Sequence, residues 1–160
     1  MMNVLIIYDS FFGNTEQIAL AIGSALDSQG NVETIRVNEV KMEKLTGLDS
    51  LIVGSPTRGF KPTEAIAKFL KRISQNGLNG IRVTAFETRI SLIGIESTAL
   101  RTLGKIGGYA ARSIARRLKK RGGNLAISPE GFLVTGKEGP LKEGELKRAA
   151  EWAKGIMKPH

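Results

Sequence analysis

The sequence predicts an α/β fold: a five-stranded parallel sheet in spatial order 2-1-3-4-5, covered by helices on both faces, in one domain over residues 1–160. Three observations lead there. Short unbroken apolar runs such as Val4-Leu5-Ile6-Ile7 and Leu51-Ile52-Val53 have the pattern of parallel strands buried on both sides. Segments with apolar residues at helical spacing alternate with these runs, and strands alternating with helices through short loops build parallel sheets. Right-handed crossovers leave few topologies, and five strands in this order suit a chain of 160 residues.

The elements follow in order. After the first strand, Ile18, Ala21, Ile22, Ala25 and Leu26 share one face of a helix, which Gly30 and Asn31 close. Val32 to Val40 reads as strand two, with partial alternation, and Lys41 to Leu48 as a connector with room for one helical turn. Strand three ends at Gly54-Ser55-Pro56. A helix from Thr63 to Ser74 carries Ile66, Phe69, Leu70 and Ile73 on one side, with Thr63 as its N-cap. Gly77 and Gly80 punctuate the turn to strand four, Ile81 to Phe86. The stretch from Glu87 to Gly108 is irregular. Ala110 to Lys120 is a helix with Ala111, Ile114, Ala115 and Leu118 inward and Gly122-Gly123 as its stop. Two apolar triplets, Leu125-Ala126-Ile127 and Phe132-Leu133-Val134, bracket Pro129 and read as a broken last strand. A helix from Glu143 to Met157 closes the chain, with Leu146, Ala150, Ala153 and Met157 inward.

Composition narrows the chemistry. Apolar residues make up 41%, enough for a folded core. The chain has no cysteine, which removes disulfides and thiolate chemistry. Its one histidine, His160, is the last residue, which argues against a histidine triad or metal site. There is no charged-then-apolar start and no apolar run of membrane-spanning length, so a cytoplasmic protein is expected. The net charge is +9. Arg112, Arg116, Arg117, Lys119, Lys120 and Arg121 crowd one segment. Such a cluster is either a solvated helix face or a field that steers an acidic protein or polyanion. Nucleic acid is disfavoured, because Tyr109 is the one aromatic nearby for base stacking.

The loop between strand one and the first helix is Tyr8-Asp9-Ser10-Phe11-Phe12-Gly13-Asn14-Thr15. A helix start offers unpaired N–H groups and the positive end of the dipole, which suit a phosphate. Ser10, Asn14 and Thr15 add side-chain donors, and Gly13 permits close approach of the backbone. On these grounds Asn14 or Thr15 is either a plain N-cap or part of an anion site. The loop has neither G-x-G-x-x-G nor the lysine of a P-loop. The pattern Tyr8-x-Ser10-x-x-Gly13-x-Thr15-x-x-x-Ala19 after an apolar strand resembles the FMN-phosphate signature of the flavodoxin family. The resemblance covers essentially the whole chain. It implies a flavodoxin-like three-layer sandwich and FMN as cofactor, with the phosphate held by Ser10, Phe12, Gly13, Asn14 and Thr15. In such sheets ligands bind beyond the carboxyl ends of the strands where the winding reverses. Flavodoxins themselves illustrate that rule, so it adds consistency and no independent support.

The same resemblance implies roles for two further loops. The loop after strand three, Pro56-Thr57-Arg58-Gly59-Phe60, lies against the isoalloxazine in this family. The loop after strand four begins Glu87-Thr88-Arg89, and family members carry a comparable Thr-Arg with backbone contacts to the pyrimidine side. Gly108 and Tyr109 match a further element near the ring. Two features depart from the family: Glu87-Thr88-Arg89 supplies no stacking tyrosine, and Arg58, Lys61 and Arg89 surround a site that is acidic in well-known members. Positive charge favours a reduced, anionic flavin and raises its potential. The apolar insert over 90–103 is a lid, a self-association surface or ordinary packing. No acid–base or nucleophile constellation is present and no catalytic residue is assigned. The expected activity is electron transfer through FMN to and from redox partner proteins, acidic ones given the charge, with no membrane involvement. The alternatives are an NAD(P)H-dependent FMN oxidoreductase acting on quinones, and a non-redox module whose basic helix contacts nucleic acid.

Overall fold

A computed structural model of the chain describes residues 1–90 and 110–158. Six strands form one parallel sheet: β1 (Met2–Tyr8), β2 (Gly30–Arg36), β3 (Ser50–Pro56), β4 (Arg82–Ile90), β5 (Asn124–Leu125) and β6 (Glu130–Val134). The order is β2-β1-β3-β4-β5, and β6 also pairs with β4. β5 meets the start of β4 at Arg82 and Val83, and β6 meets its end from Phe86 to Ile90. The two therefore share one edge position, and the fifth strand is broken around Pro129 as its sequence implies. The flavodoxin-like order is thus present.

Residues of β1 alternate between two cores. Leu5 and Ile7 join Leu51, Val53, Val83 and Ala85 beneath α2 (Glu64–Arg72) and α3 (Ala110–Lys120). Val4, Ile6 and Tyr8 join Ile52, Phe86 and Phe132 beneath α1 (Asn14–Leu26) and α4 (Glu145–Lys154). A strand buried on both faces must be apolar at every position, which is why the apolar runs lack alternation. Phe86, Phe132 and Trp152 meet edge to face in the second core, with centroids 5.8–6.3 Å apart.

Local chemistry sets the helix ends. Thr63 Oγ1 accepts from Ile66 N at 3.3 Å and caps α2. Thr63→Ala should lower stability by about 1 kcal/mol in a urea melt, and an unchanged midpoint would show the cap to be idle. At the end of α3, Gly123 N donates to Leu118 O and Gly122 N to Lys119 O, with Gly122 at φ +103°. That pair of bonds is the Schellman stop.

Several boundaries and one helix face differ from the sequence reading. Gly30 and Asn31 open β2 instead of closing α1, which ends at Leu26 and passes through a 3-10 turn over Asp27–Gln29. β2 stops at Arg36, and a second 3-10 turn takes Val37–Glu39. β4 runs on to Ile90, so Glu87, Thr88 and Arg89 are strand residues, paired with Gly131, Phe132 and Leu133 of β6. Polar residues hold strand geometry there because β6 pairs with all three and β3 with Glu87 and Thr88. In α4 the inward face is Ala149, Trp152, Ala153 and, just beyond, Ile156, while Leu146 is exposed. The bulk of Trp152 against Phe86 and Phe132 sets that rotation. Gly108, Tyr109 and the insert from 91 to 103 lie outside the described residues.

Candidate functional site

The carboxyl ends of β1, β3, β4 and β6 open onto one cleft. Ser10, Phe12, Asn14 and Thr15 line it from the first loop, and Pro56, Thr57, Arg58 and Gly59 from the loop after β3. Thr88 and Arg89 come from the end of β4. Of the other predicted residues, Gly13, Phe60 and Glu87 lie beside the cleft without lining it.

The first loop is tied from several directions. Gly13 takes the position before α1 at φ +90°, a left-handed conformation that favours glycine. Ser10 Oγ accepts from Gly13 N at 3.0 Å and Glu16 N at 3.4 Å, so Ser10 does the capping and neither Asn14 nor Thr15 does. Thr15, almost fully buried, meets the Thr88 hydroxyl at 2.7 Å and fastens α1 to β4. Asn14 Nδ2 donates to Glu138 O at 3.1 Å, in the loop after β6. Arg36 holds the outer side of the loop: its guanidinium donates to Ser10 O at 2.8 Å, pairs with Asp9 and Glu16, and lies over the Tyr8 ring. The Tyr8 hydroxyl donates to Glu16 at 2.6 Å, and burial, then the Glu16 carboxylate, pushes its pKa up.

In the loop after β3, Arg58 and Lys61 exchange backbone hydrogen bonds at 2.8 and 3.0 Å. Gly59 and Phe60, at φ +55° and +67°, form the two-residue tip between them. Phe60 is therefore held in a conformation that a bulky side chain rarely adopts. Arg58 lies over the Phe11 ring, 4.9 Å from its centroid. Ser55 Oγ accepts from Thr63 N at 3.0 Å, closing the base of the loop.

Strand alternation splits Glu87 from Thr88. Thr88 faces α1, whereas Glu87 faces the start of α3 and is 2% exposed. Its carboxylate accepts from the Thr57 hydroxyl, from Ala110 N at 3.1 Å and from Arg89 at 3.3 Å. Burial outweighs these bonds and raises its pKa. A carboxyl with a raised folded pKa binds its proton more readily in the folded chain, so its contribution to stability declines as pH rises from the unfolded value of about 4.3 through the raised one. Glu87→Gln removes that decline. Urea melts across this range should show the variant gaining on the parent as pH rises, and a pH-independent difference would contradict the burial effect.

Sequence reasoning missed Phe11, Arg36, Ile90, Val134 and Lys137. Phe11, Ile90, Val134 and Lys137 line the cleft. Lys137 had a readable signal: Gly136-Lys137-Glu138-Gly139-Pro140 is a turn-rich segment after the last strand, and every such loop opens at the carboxyl edge. Arg36 had none, since an arginine at a strand end is ordinary. Among the described residues, no group of three or more His, Cys, Asp and Glu is placed to hold a metal ion, and no helix is long and apolar enough to cross a membrane.

The donor set suits FMN. Hydroxyls, a helix start and Lys137 could hold a phosphate, and Phe11, Pro56 and the Gly59 turn line the same cleft with apolar surface that could border a planar ring. Comparison with known proteins agrees. A family model described as a flavodoxin domain matches residues 5–104. A flavodoxin of Clostridium saccharobutylicum is 30% identical over 104 residues, 64% of this chain and 65% of that protein. Probable flavodoxin 1 of Bacillus subtilis (strain 168) is 33% identical over 89 residues, 54% of this chain and 56% of that protein. The matches thus span less than two thirds of these relatives' lengths. In fold, oxidised Flavodoxin 1 from Bacillus cereus superposes with a TM-score of 0.76 at 16% identity, covering 99% of both chains. With the family model matched over most of its length and the strand order of that fold in place, the chain belongs to the flavodoxin family, whose cofactor is FMN.

Proposed function

We propose that the chain carries electrons between redox partner proteins through FMN held in the cleft at the carboxyl edge of the sheet. The observation that supports this best is the convergence of the first loop, the Pro56–Gly59 loop and the end of β4 on that one cleft. In this reading Ser10, Phe12, Gly13, Asn14 and Thr15 bind the phosphate, with Lys137 adding charge. Pro56, Thr57, Arg58, Gly59 and Phe60 border the ring on one side. Glu87, Thr88 and Arg89 serve on the other, Glu87 through its backbone, since its side chain holds Thr57 and the start of α3. Bound FMN supplies one- and two-electron chemistry, and the protein supplies binding and electrostatics. Arg89 is partly offset by Glu87, while Arg58, Lys61 and Lys137 add positive charge at the rim. That charge favours electron gain and makes the site less strongly reducing than an acidic one. Acidic redox partners and a cytoplasmic setting belong to the same proposal.

The test is spectroscopic. Purified protein titrated with FMN should quench flavin fluorescence and take on flavin absorbance, and the loaded protein should accept electrons from a separate reductase during stepwise reduction. A protein that takes up no FMN overturns the reading. Steady-state NAD(P)H oxidation with no added reductase would instead identify an oxidoreductase.

A further inference from the structure

Helix α3 and the open edge of β5 enclose a groove of about 650 Å³ away from the FMN cleft. Arg112, Arg116, Lys119 and Lys120 form one wall, and Ala115, Leu125 and Pro129 give an apolar floor. The four cations fall at i, i+4, i+7 and i+8, a single stripe along the helix. No carboxylate lines the groove among the described residues.

The other wall is a strand edge with no further partner strand among the described residues. Asn124 N donates to Ile81 O and Ala126 N to Val83 O, both toward β4. Strand alternation then turns the N–H and C=O of Leu125 outward, on the side where no further strand lies among the described residues. An exposed edge beside a cationic stripe over an apolar floor matches strand addition, where backbone bonds give affinity and side-chain contacts give selectivity. From Arg116 to Lys120 the stripe is about 6 Å long at 1.5 Å per residue, the span of about two residues of extended chain.

We propose that this groove docks an acidic, extended segment of a partner protein, which pairs with the edge at Leu125 and lays its carboxylates along Arg116, Lys119 and Lys120. A single-stranded nucleic acid fits less well, because among the described residues the lining has no aromatic face on which a base could stack. The inference takes from the electron-transfer reading only that the chain has a protein partner.

The test uses the full chain loaded with FMN and a fluorescein-labelled peptide alternating Glu and Val, followed by anisotropy. Binding should weaken about tenfold or more in Arg116→Glu/Lys120→Glu. It should change by less than about twofold in Lys41→Glu/Lys44→Glu, which alters net charge equally beside β2, at the opposite edge of the sheet. Hydrogen exchange at the Leu125 amide should slow in the complex, a signature that diffuse charge attraction does not produce. Equal loss in both variants, an unprotected Leu125, or tighter binding of a single-stranded oligonucleotide overturns the proposal. Flavin absorbance on the same samples reports cofactor binding separately, so either idea can fail alone.

Discussion

Thr15→Val should weaken FMN binding about ten- to a hundredfold, while moving the reduction potential little. Valine matches threonine in volume, so packing at this nearly fully buried position survives. The hydroxyl does not. Losing a hydrogen bond to a charged group costs about 1.5–3 kcal/mol, and each 1.4 kcal/mol is about a factor of ten in affinity. The substitution also strips Thr88 of its hydroxyl partner. Thr15→Ser separates the two effects from packing: it keeps the hydroxyl and should bind within a few-fold of the parent. Fluorescence-quenching titrations of the three proteins decide the matter. A valine variant as tight as the parent would remove Thr15 from the phosphate site.

Gly54→Ala should destabilise the fold more than any surface change. Gly54 lies between Tyr8 and Phe86 in register across β1, β3 and β4, and a Cβ built there overlaps the Phe86 ring. The ring covers the bare backbone of the glycine, an arrangement that occupies the space a side chain would use. Phe86 is fully buried against Phe132 and Trp152, so it has no free volume to enter. Overpacking of this kind costs about 1–3 kcal/mol or more. Phe86→Leu in the alanine background should recover part of the loss, although it weakens the parent. Urea melts of the four proteins give the coupling directly, and strictly additive losses would show that the contact is not what excludes alanine.

The sheet order, the broken edge strand, the Thr63 cap and the glycine stop of α3 were readable because each rests on a local signal: a buried apolar run, a proline, an N-cap hydroxyl, a glycine pair. The cleft was readable where it coincides with strand ends. What sequence did not carry was direction. Glu87, Thr88 and Arg89 looked like a loop because polar residues rarely continue a central strand. Their strand geometry comes from β3 and β6, distant in sequence. Once they form a strand, alternation sends Glu87 to α3 and Thr88 to Thr15, which no propensity specifies. Leu146 was assigned inward on spacing alone, and the rotation of α4 is decided by Trp152 meeting two rings from other elements.

The hydrogen bond from Ala110 N to the Glu87 carboxylate has a further implication for how this fold can vary. It brings the chain back to β4 beside the point where it leaves at Ile90, so the long connection between them begins and ends at one anchored neck. A change at Glu87 therefore acts on two elements at once, the loop after β3 through Thr57 and the start of α3 through Ala110. The neck thus ties how far this end of the sheet can vary to one buried carboxylate.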